Sequence, residues 1–96
     1  MILYIKDIVS DTYTNPAGFQ LYSSLNKALD ENNVVIQISF QDVTGFSTSF
    51  LNSSLGAIVE EKGADILKRI KPINIKVSQS QLLKNYFSNE LAMLRK

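Results

Sequence analysis

The chain has 96 residues, with ten basic and nine acidic side chains, no cysteine and no histidine. This length suffices for one domain, residues 1–96, with a modest core. Without cysteine there is no disulfide, thiolate nucleophile or ordinary zinc site, and without histidine the commonest general base is missing. The apolar run after Met1 ends at Lys6, too early for a signal peptide or a membrane span. We therefore expect a cytoplasmic protein with no membrane partner.

The first third of the chain predicts a strand followed by a helix. Residues 2–5 are apolar and strand-like, and residues 10–15 have loop composition. Asn15 as the cap and Pro16 as the first helical residue predict a helix start. The asparagines at 32–33 are expected to end this helix. Its buried stripe would consist of Leu21, Tyr22, Leu25, Ala28 and Leu29.

The central stretch predicts a strand, a tight loop and a helix. Apolar residues alternate with others over positions 34–40, which places one set on each sheet face. Gly45 would supply the turn by adopting a positive φ, and Ser47 would cap a helix reaching position 59. Phe46 and Leu51 have the spacing of a hydrophobic staple. The strand residues expected to face helices are Val34, Ile36, Ile38 and Phe40, and the helix stripe is Phe50, Leu51, Leu55, Ile58 and Val59.

The last third predicts a third strand and a last helix. Gly63 should stop the central helix, and a short extra turn over residues 64–70 should end before Pro72. The third strand would cover residues 73–77, with Ile73, Ile75 and Val77 facing the helices. Ser78 or Ser80 would cap the last helix. Its stripe would be Leu83, Phe87, Leu91 and Leu94, broadened by Leu82, Tyr86 and Met93.

The resulting order is β-α-β-α-β-α, which favours a small, mostly parallel sheet, with a mixed sheet as the alternative, and right-handed crossovers. The second and third strands are apolar on one face only, so we expect the helices to lie mainly on one face of the sheet. The other face would be exposed, or covered by a partner or a short segment. Its residues would be Gln37, Ser39, Asn74 and Lys76.

Charge divides the chain into two parts. Residues 1–61 carry two basic and seven acidic side chains, a net charge of −5, whereas residues 62–96 carry eight basic and two acidic side chains, a net charge of +6. One interpretation is that the halves pack together and pair their charges. The other is a basic face for nucleic acid or an acidic partner, although it lacks the interleaved aromatic residues of a single-strand binder.

The central stretch resembles the STAS-like family, small bacterial and phage proteins of uncharacterised function related to the anti-sigma-factor antagonists. The topology is similar over residues 1–94, and the specific motif is confined to residues 38–56. The residues that carry the resemblance are Ile38-Ser39-Phe40-Gln41-Asp42-Val43, then Phe46-Ser47-Thr48-Ser49-Phe50-Leu51, then Gly56.

The resemblance implies a regulatory role and a site for a phosphoswitch. In the antagonists, a serine in an Asp-Ser-Ser-Gly-Leu motif at a helix start is phosphorylated by a kinase of the histidine-kinase-type ATPase fold. Carried over, the aspartate falls on Ser47, the phosphoacceptor on Thr48, the next serine on Ser49, the glycine on Phe50 and the leucine on Leu51. The missing aspartate and the large aromatic residue depart from that motif. Ser47, Thr48 and Ser49 could equally be ordinary cap and first-turn residues.

Other candidate sites have weaker patterns. Asp7, Asp11 and Asp42 could hold magnesium at the carboxyl edge of the sheet, but ordinary loop carboxylates are the favoured interpretation. A serine nucleophile would need a base, and nothing in the sequence positions one. We therefore expect no cofactor, no metal and no enzymatic activity.

Two function classes stay open. The first is a regulatory protein-binding module acting through residues 42–55, with a protein partner that the resemblance suggests is a histidine-kinase-type ATPase, or with a host protein if the chain is a phage or mobile-element factor. The second is a nucleic-acid-associated protein that uses the basic second half. The first is preferred. Its partner-binding residues would be Asp42, Gly45, Thr48, Ser49, Asn52 and Ser53, with Thr48 and Ser49 as candidate phosphorylation sites. The oligomeric state stays open.

Overall fold

The computed structural model describes residues 1–31 and 34–94, the last five of these through their backbone only. Strands and helices alternate along the chain, as the hydrophobic periodicity predicts. In order, the elements are β1 (Ile2–Tyr4), α1 (Ile5–Ile8), α2 (Asn15–Glu31), β2 (Ile36–Ser39), α3 (Thr48–Ser53), α4 (Leu55–Lys62), a 3₁₀ helix (Ala64–Arg69), β3 (Ile70–Ile73) and α5 (Val77–Leu94).

The three strands form a parallel sheet in the order β1-β2-β3. Parallel neighbours joined by right-handed crossovers place their connecting helices on the same face. Ile36 and Ile38 of β2 are fully buried, whereas Gln37 between them is half-buried. The predicted register of the central strand is therefore confirmed, as is the small parallel α/β architecture.

The core lies between β2 and the helices that follow β1 and β2. Its members are aliphatic side chains, including two alanines, and two phenylalanines, and Ile5 of α1 is one of them. The predicted stripes of α2 and of the central helix are buried, apart from Tyr22, which is half-buried. The residues at its centre are Leu21, Leu25, Ile36, Ile38, Phe50, Ile58 and Val59.

The central strand is shorter than the sequence predicts. Val34 and Val35 are 53% and 45% exposed, so the expectation that Val34 faces the helices is wrong. The Gln37 amide donates to the Met1 carbonyl, and the β1–β2 pairing begins at Ile2 opposite Gln37. Residues 34–35 precede the first paired residues of β2, so they lie outside the sheet.

The face opposite the helices is covered at the end of β2. Ser39 was expected on that face, yet it is fully buried. Its hydroxyl accepts from the Asn74 amide at 2.9 Å and from the backbone N–H of Gln41 at 3.2 Å. The covering group is therefore the turn after β3, a short segment of this chain.

The third strand occupies residues Ile70–Ile73, three residues earlier than predicted. Asn74 adopts a left-handed φ of 55°, which ends the strand, because asparagine tolerates this conformation better than most residues. Val77 lies at the start of α5 and is 79% exposed, so its predicted place in the core is wrong. Pro72 lies within β3 itself, which is an edge strand and therefore tolerates proline.

The helix boundaries differ from the prediction at three points. The Thr14 hydroxyl, one residue before Asn15, accepts from the Ala17 amide at 3.3 Å at the start of α2. The predicted central helix is divided at Ser54, whose hydroxyl donates to the Phe50 carbonyl at 2.7 Å, a bond that bends helices. α5 starts before the predicted caps Ser78 and Ser80.

The other predicted boundaries have mixed outcomes. Gly63 ends α4 as predicted, with a φ of 90°, and the short turn after it is the 3₁₀ helix. The first strand stops at Tyr4, because Ile5 turns into α1. The predicted helix end at residues 32–33 lies outside the described residues. The same holds for the side chains of Leu91, Met93 and Leu94.

Candidate functional site

The loop between β2 and α3 begins with a tight turn. The Val43 amide donates to the Phe40 carbonyl at 3.0 Å, and Asp42 inside this turn has a φ of 64°. The prediction that Gly45 supplies the positive φ is therefore wrong. Gly45 is instead a point of close approach, because a Cβ there would lie 3.1 Å from the Tyr13 hydroxyl.

The segment before α2 holds one side of this loop. The Ser47 amide donates to the Thr12 carbonyl at 3.0 Å, and the Ser47 hydroxyl donates to the Tyr13 carbonyl at 2.7 Å. The Thr12 hydroxyl donates to the Gly45 carbonyl. These bonds fix the backbone of the loop just before α3 starts.

The buried side chain of Gln79 holds the other side of the loop. Its amide donates to the Val43 carbonyl at 2.8 Å, and its carbonyl oxygen accepts from the Lys76 amide at 3.2 Å. The second bond resembles half of a capping box at the start of α5. Because one side chain contacts both elements, the start of α5 is fixed relative to the loop.

Ser47 caps α3, as predicted from the sequence. Its hydroxyl oxygen accepts from the Phe50 amide at 3.1 Å. The Phe46 ring meets the Phe40 ring edge-on, with centroids 5.8 Å apart. The staple contact between Phe46 and Leu51 stays a prediction, and both residues line the groove described next.

A groove of about 450 Å³ lies between the start of α3 and the outer face of α5. None of the described residues that line it is charged. At one side the Tyr86 hydroxyl donates to the side-chain oxygen Oδ1 of Asn52 at 2.6 Å. Gly56 allows this, because a Cβ there would overlap the Tyr86 hydroxyl. The lining residues are Phe46, Ser47, Thr48, Leu51, Asn52, Leu82, Asn85, Tyr86 and Asn89; we call this the α3–α5 groove.

Two of the six residues predicted to bind a partner line this groove, Thr48 and Asn52. Both are exposed, and the Thr48 hydroxyl makes no hydrogen bond within the described part of the chain. Ser49 is also exposed, but it does not line the groove. The two candidate phosphoacceptors, Thr48 and Ser49, therefore have different surroundings.

The other three predicted residues lie elsewhere. The Ser53 hydroxyl donates to the Asn15 side chain at 2.8 Å, which places Ser53 on the α2 side of α3. Gly45 is half-buried beneath Tyr13. Asp42 accepts from the Lys6 ammonium at 3.0 Å, and this contact raises the pKa of Lys6. The structure thus does not gather the six residues into one site.

The α5 wall of the groove was not predicted from the sequence. Leu82 and Tyr86 were assigned to the buried stripe, but Leu82 is 54% exposed and both line the groove. Asn85 and Asn89 were given no role. The sequence signal for this wall is the spacing of its residues: Asn85, Tyr86 and Asn89 follow Leu82 by three, four and seven positions. This spacing places all four side chains on one face of a helix.

Two of the three acidic residues considered for a magnesium site, Asp11 and Asp42, have partners in the protein. The Asp11 carboxylate accepts from the backbone amides of Tyr13 and Thr14 at 2.9 and 3.0 Å, and these bonds hold its pKa below the usual value. Asp42 pairs with Lys6, as described above. Within residues 1–31 and 34–89, no three side chains of the metal-binding types are grouped to hold an ion.

Comparison with known protein families gives a match over most of the chain. The model of the STAS-like domain of unknown function (DUF4325) matches residues 17–79. The chain belongs to this family. The match runs from α2 to the first residues of α5, so it includes the α3 wall of the groove and excludes residues 82–89. The resemblance predicted from residues 38–56 is confirmed.

Two further comparisons give no match, neither among curated proteins nor among solved structures. In the described part of this STAS-like domain, every helix is too short or too polar to span a bilayer.

Proposed function

We propose that this STAS-like domain is a non-enzymatic, regulatory protein-binding module whose recognition surface is the α3–α5 groove. One observation carries the proposal: an open groove of about 450 Å³ is lined by aromatic, aliphatic and amide side chains without a charged group. The cores of protein interfaces are enriched in aromatic residues and depleted in charge, so this lining suits a protein partner.

The two asparagines of α5 are suited to reading a peptide backbone. Asn85 and Asn89 are exposed, one helical turn apart, and neither amide is used within the described part of the chain. An asparagine side chain offers two donors and one acceptor oxygen, which can pair with the N–H and C=O groups of a bound segment. Leu82 and Tyr86 would supply the apolar contact beside them.

Thr48 gives the groove a site at which binding could be switched. Its exposed hydroxyl lies at the rim, and the Ser47 hydroxyl beside it is engaged with Tyr13 and Phe50. A phosphate adds nearly two negative charges, and no cation among the described residues lines the groove to pair with them. We therefore expect phosphorylation of Thr48 to weaken binding, in the manner of the antagonists that the family resembles.

The test begins with capture of the partner from the native host and continues with calorimetry on the purified pair. The double variant Asn85→Ala/Asn89→Ala should bind at least about tenfold more weakly, a loss of about 1.4 kcal/mol. Ser88→Ala is the matched control, because Ser88 is an exposed residue of the same helix outside the groove. Circular dichroism confirms that all three proteins are folded.

The alternative function predicts a different result. Nucleic acid bound to the basic second half would show a steep loss of affinity with salt, because phosphate contacts release counterions. Unchanged affinity in the double variant, together with loss of binding in Lys71→Glu, would contradict the groove proposal and favour this alternative.

A further inference from the structure

An exposed aromatic pair lies on the acidic half of the chain, between α2 and α4. Phe19 is 61% exposed and stacks on Tyr22, with ring centroids 5.6 Å apart. The Tyr22 hydroxyl donates to the Glu61 carboxylate, which raises the pKa of Tyr22. Glu60 lies beside them and forms no ion pair within the described residues. We call these four residues with Ala57 the acidic patch.

Phe19 has the properties of an anchor residue. Its stacking partner is held by Glu61, so the ring is supported before any partner arrives. Phenylalanine buries a large apolar area when covered, and such aromatic side chains dominate binding energy at interfaces. The carboxylates of Glu60 and Glu61 next to it favour a partner that is apolar at its centre and basic at its rim.

A surface with those properties lies on the basic half of the same chain. An apolar groove of about 300 Å³ runs between β3 and α5, and Lys84 is part of its lining. Lys84 is exposed and forms no ion pair within the described residues. The apolar lining consists of Leu55, Leu67, Ile70, Pro72, Ile75, Leu83 and Phe87; we call this the basic groove.

The opposite charges of the two halves of the chain do not pair with each other at the acidic patch or at the basic groove. The ion pair between Lys62 and Asp30, at 2.7 Å, does join the halves, but it lies outside the basic groove. Glu60 on one surface and Lys84 on the other form no ion pair in the described part of the chain. The chain therefore carries both complementary surfaces, each with its own apolar centre.

We propose that the acidic patch of one copy docks into the basic groove of a second copy. Phe19 enters the groove between β3 and α5, and Glu60 approaches Lys84, the lysine that lines it. The two surfaces differ, so the contact is head-to-tail, and it forms a ring or an open chain of copies rather than a two-fold dimer. Its charged rim makes the association sensitive to salt.

The experiment measures the mass of the full chain by analytical ultracentrifugation up to about 1 mM, in about 50 mM and about 500 mM salt. Wild-type protein should exceed the monomer mass of 10.8 kDa as concentration rises, with larger species than dimers, and the association should weaken in high salt. The double variant Phe19→Ser/Glu60→Lys and the single variant Lys84→Glu should each remain monomeric. All substituted residues are exposed, so both variants should fold, which circular dichroism checks.

Mixing the two variants tests the head-to-tail arrangement. Each variant retains one intact surface, so the equimolar mixture should form a complex of twice the monomer mass and nothing larger. Lys27→Glu is the control, because it changes net charge as Lys84→Glu does but lies on an exposed position of α2 outside the basic groove. It should associate as the wild type does. A monomeric wild type, a variant that associates alone, or a mixture that stays monomeric would each overturn the proposal.

Discussion

The two sides of α3 differ in how closely they are packed. On the α2 side, a Cβ at Gly18 would lie 2.6 Å from the Phe50 carbonyl oxygen, and Ser53 bonds to Asn15. On the α5 side, α3 is separated from the neighbouring helix by a groove of about 450 Å³. The difference shows that one short helix serves both as a packed element of the core and as the wall of an open surface.

The close packing on the α2 side of α3 explains how the groove on its α5 side keeps its shape. α3 has only six residues, too few to be stable alone, so its position depends on tertiary contacts. α2 fixes one side of it, while Gln79 fixes the loop before it to the start of α5. The contacts that α2 and Gln79 make therefore hold the walls of the groove in place from outside its lining, which is how a rigid binding surface is built.

The largest expected effect concerns the core that anchors α4 and α5. Leu55 and Leu83 are each 3% exposed, so Leu55→Ala and Leu83→Ala should each lower the free energy of unfolding by about 2–5 kcal/mol. Leu82→Ala, at a position 54% exposed, is the control and should change it by about 0.5 kcal/mol or less. Urea unfolding measures all three. Wild-type stability in Leu83→Ala would mean that α5 does not depend on this contact.

A smaller effect tests the close packing of α2 on α3. Gly18→Ala places a methyl group against a backbone carbonyl that cannot move aside, so we expect a loss of about 1–3 kcal/mol of stability. Gly45→Ala meets only the end of the Tyr13 side chain, which can shift. It should therefore cost less, and thermal melts of the two variants compare them directly. Equal costs would show that α2 packs on α3 no more tightly than Tyr13 packs on Gly45.

Substitutions at the start of α3, beside the groove, should change partner binding rather than stability. Thr48→Asp should leave the fold intact, because a negative charge in the first turn of a helix is favourable or neutral. It should weaken partner binding about tenfold or more, because the carboxylate loses water in an uncharged groove. Ser49→Asp should have a smaller effect. Calorimetry would contradict this if both affinities were unchanged and Lys68→Glu lost binding.

The smallest expected effect is a pH dependence at the turn before α2. The Asp11 pKa is held below its ordinary value of about 3.9, so the carboxylate stabilises the fold above that pH and stops doing so as pH falls through the lower, folded-state pKa. Asp11→Asn should therefore melt earlier than wild type at pH 7, and the difference should shrink below about pH 4. A constant difference across this range would show that the charge contributes nothing.

The features of the fold that the sequence predicts correctly are local ones. Alternation over Ile36, Gln37 and Ile38 sets the central strand, the Ser47 hydroxyl caps α3, and Gly63 ends α4. Each of these features depends on residues that are close together in the sequence. The family resemblance could be recognised in residues 38–56 for the same reason, because its motif residues lie close together.

The features that sequence reasoning missed depend on residues far apart in the chain. Residues 73–77 alternate in the sequence and residues 70–73 do not, yet the pairing of Ile70 with Ile36 places the strand at residues 70–73. The division of the helix at Ser54 is a local exception, because its hydroxyl bonds to the Phe50 carbonyl four residues earlier. The α5 wall became recognisable only beside Thr48, since Asn85 has no distinctive motif of its own.

The most direct test of the account maps the partner on the domain by nuclear magnetic resonance. The captured partner is added to isotope-labelled protein, and changes in the backbone amide resonances are followed. If the α3–α5 groove is the binding surface, the largest changes occur at its two walls, residues 46–52 and 82–89. Changes confined to residues 66–76 and Lys84, with both groove walls unaffected, would contradict it.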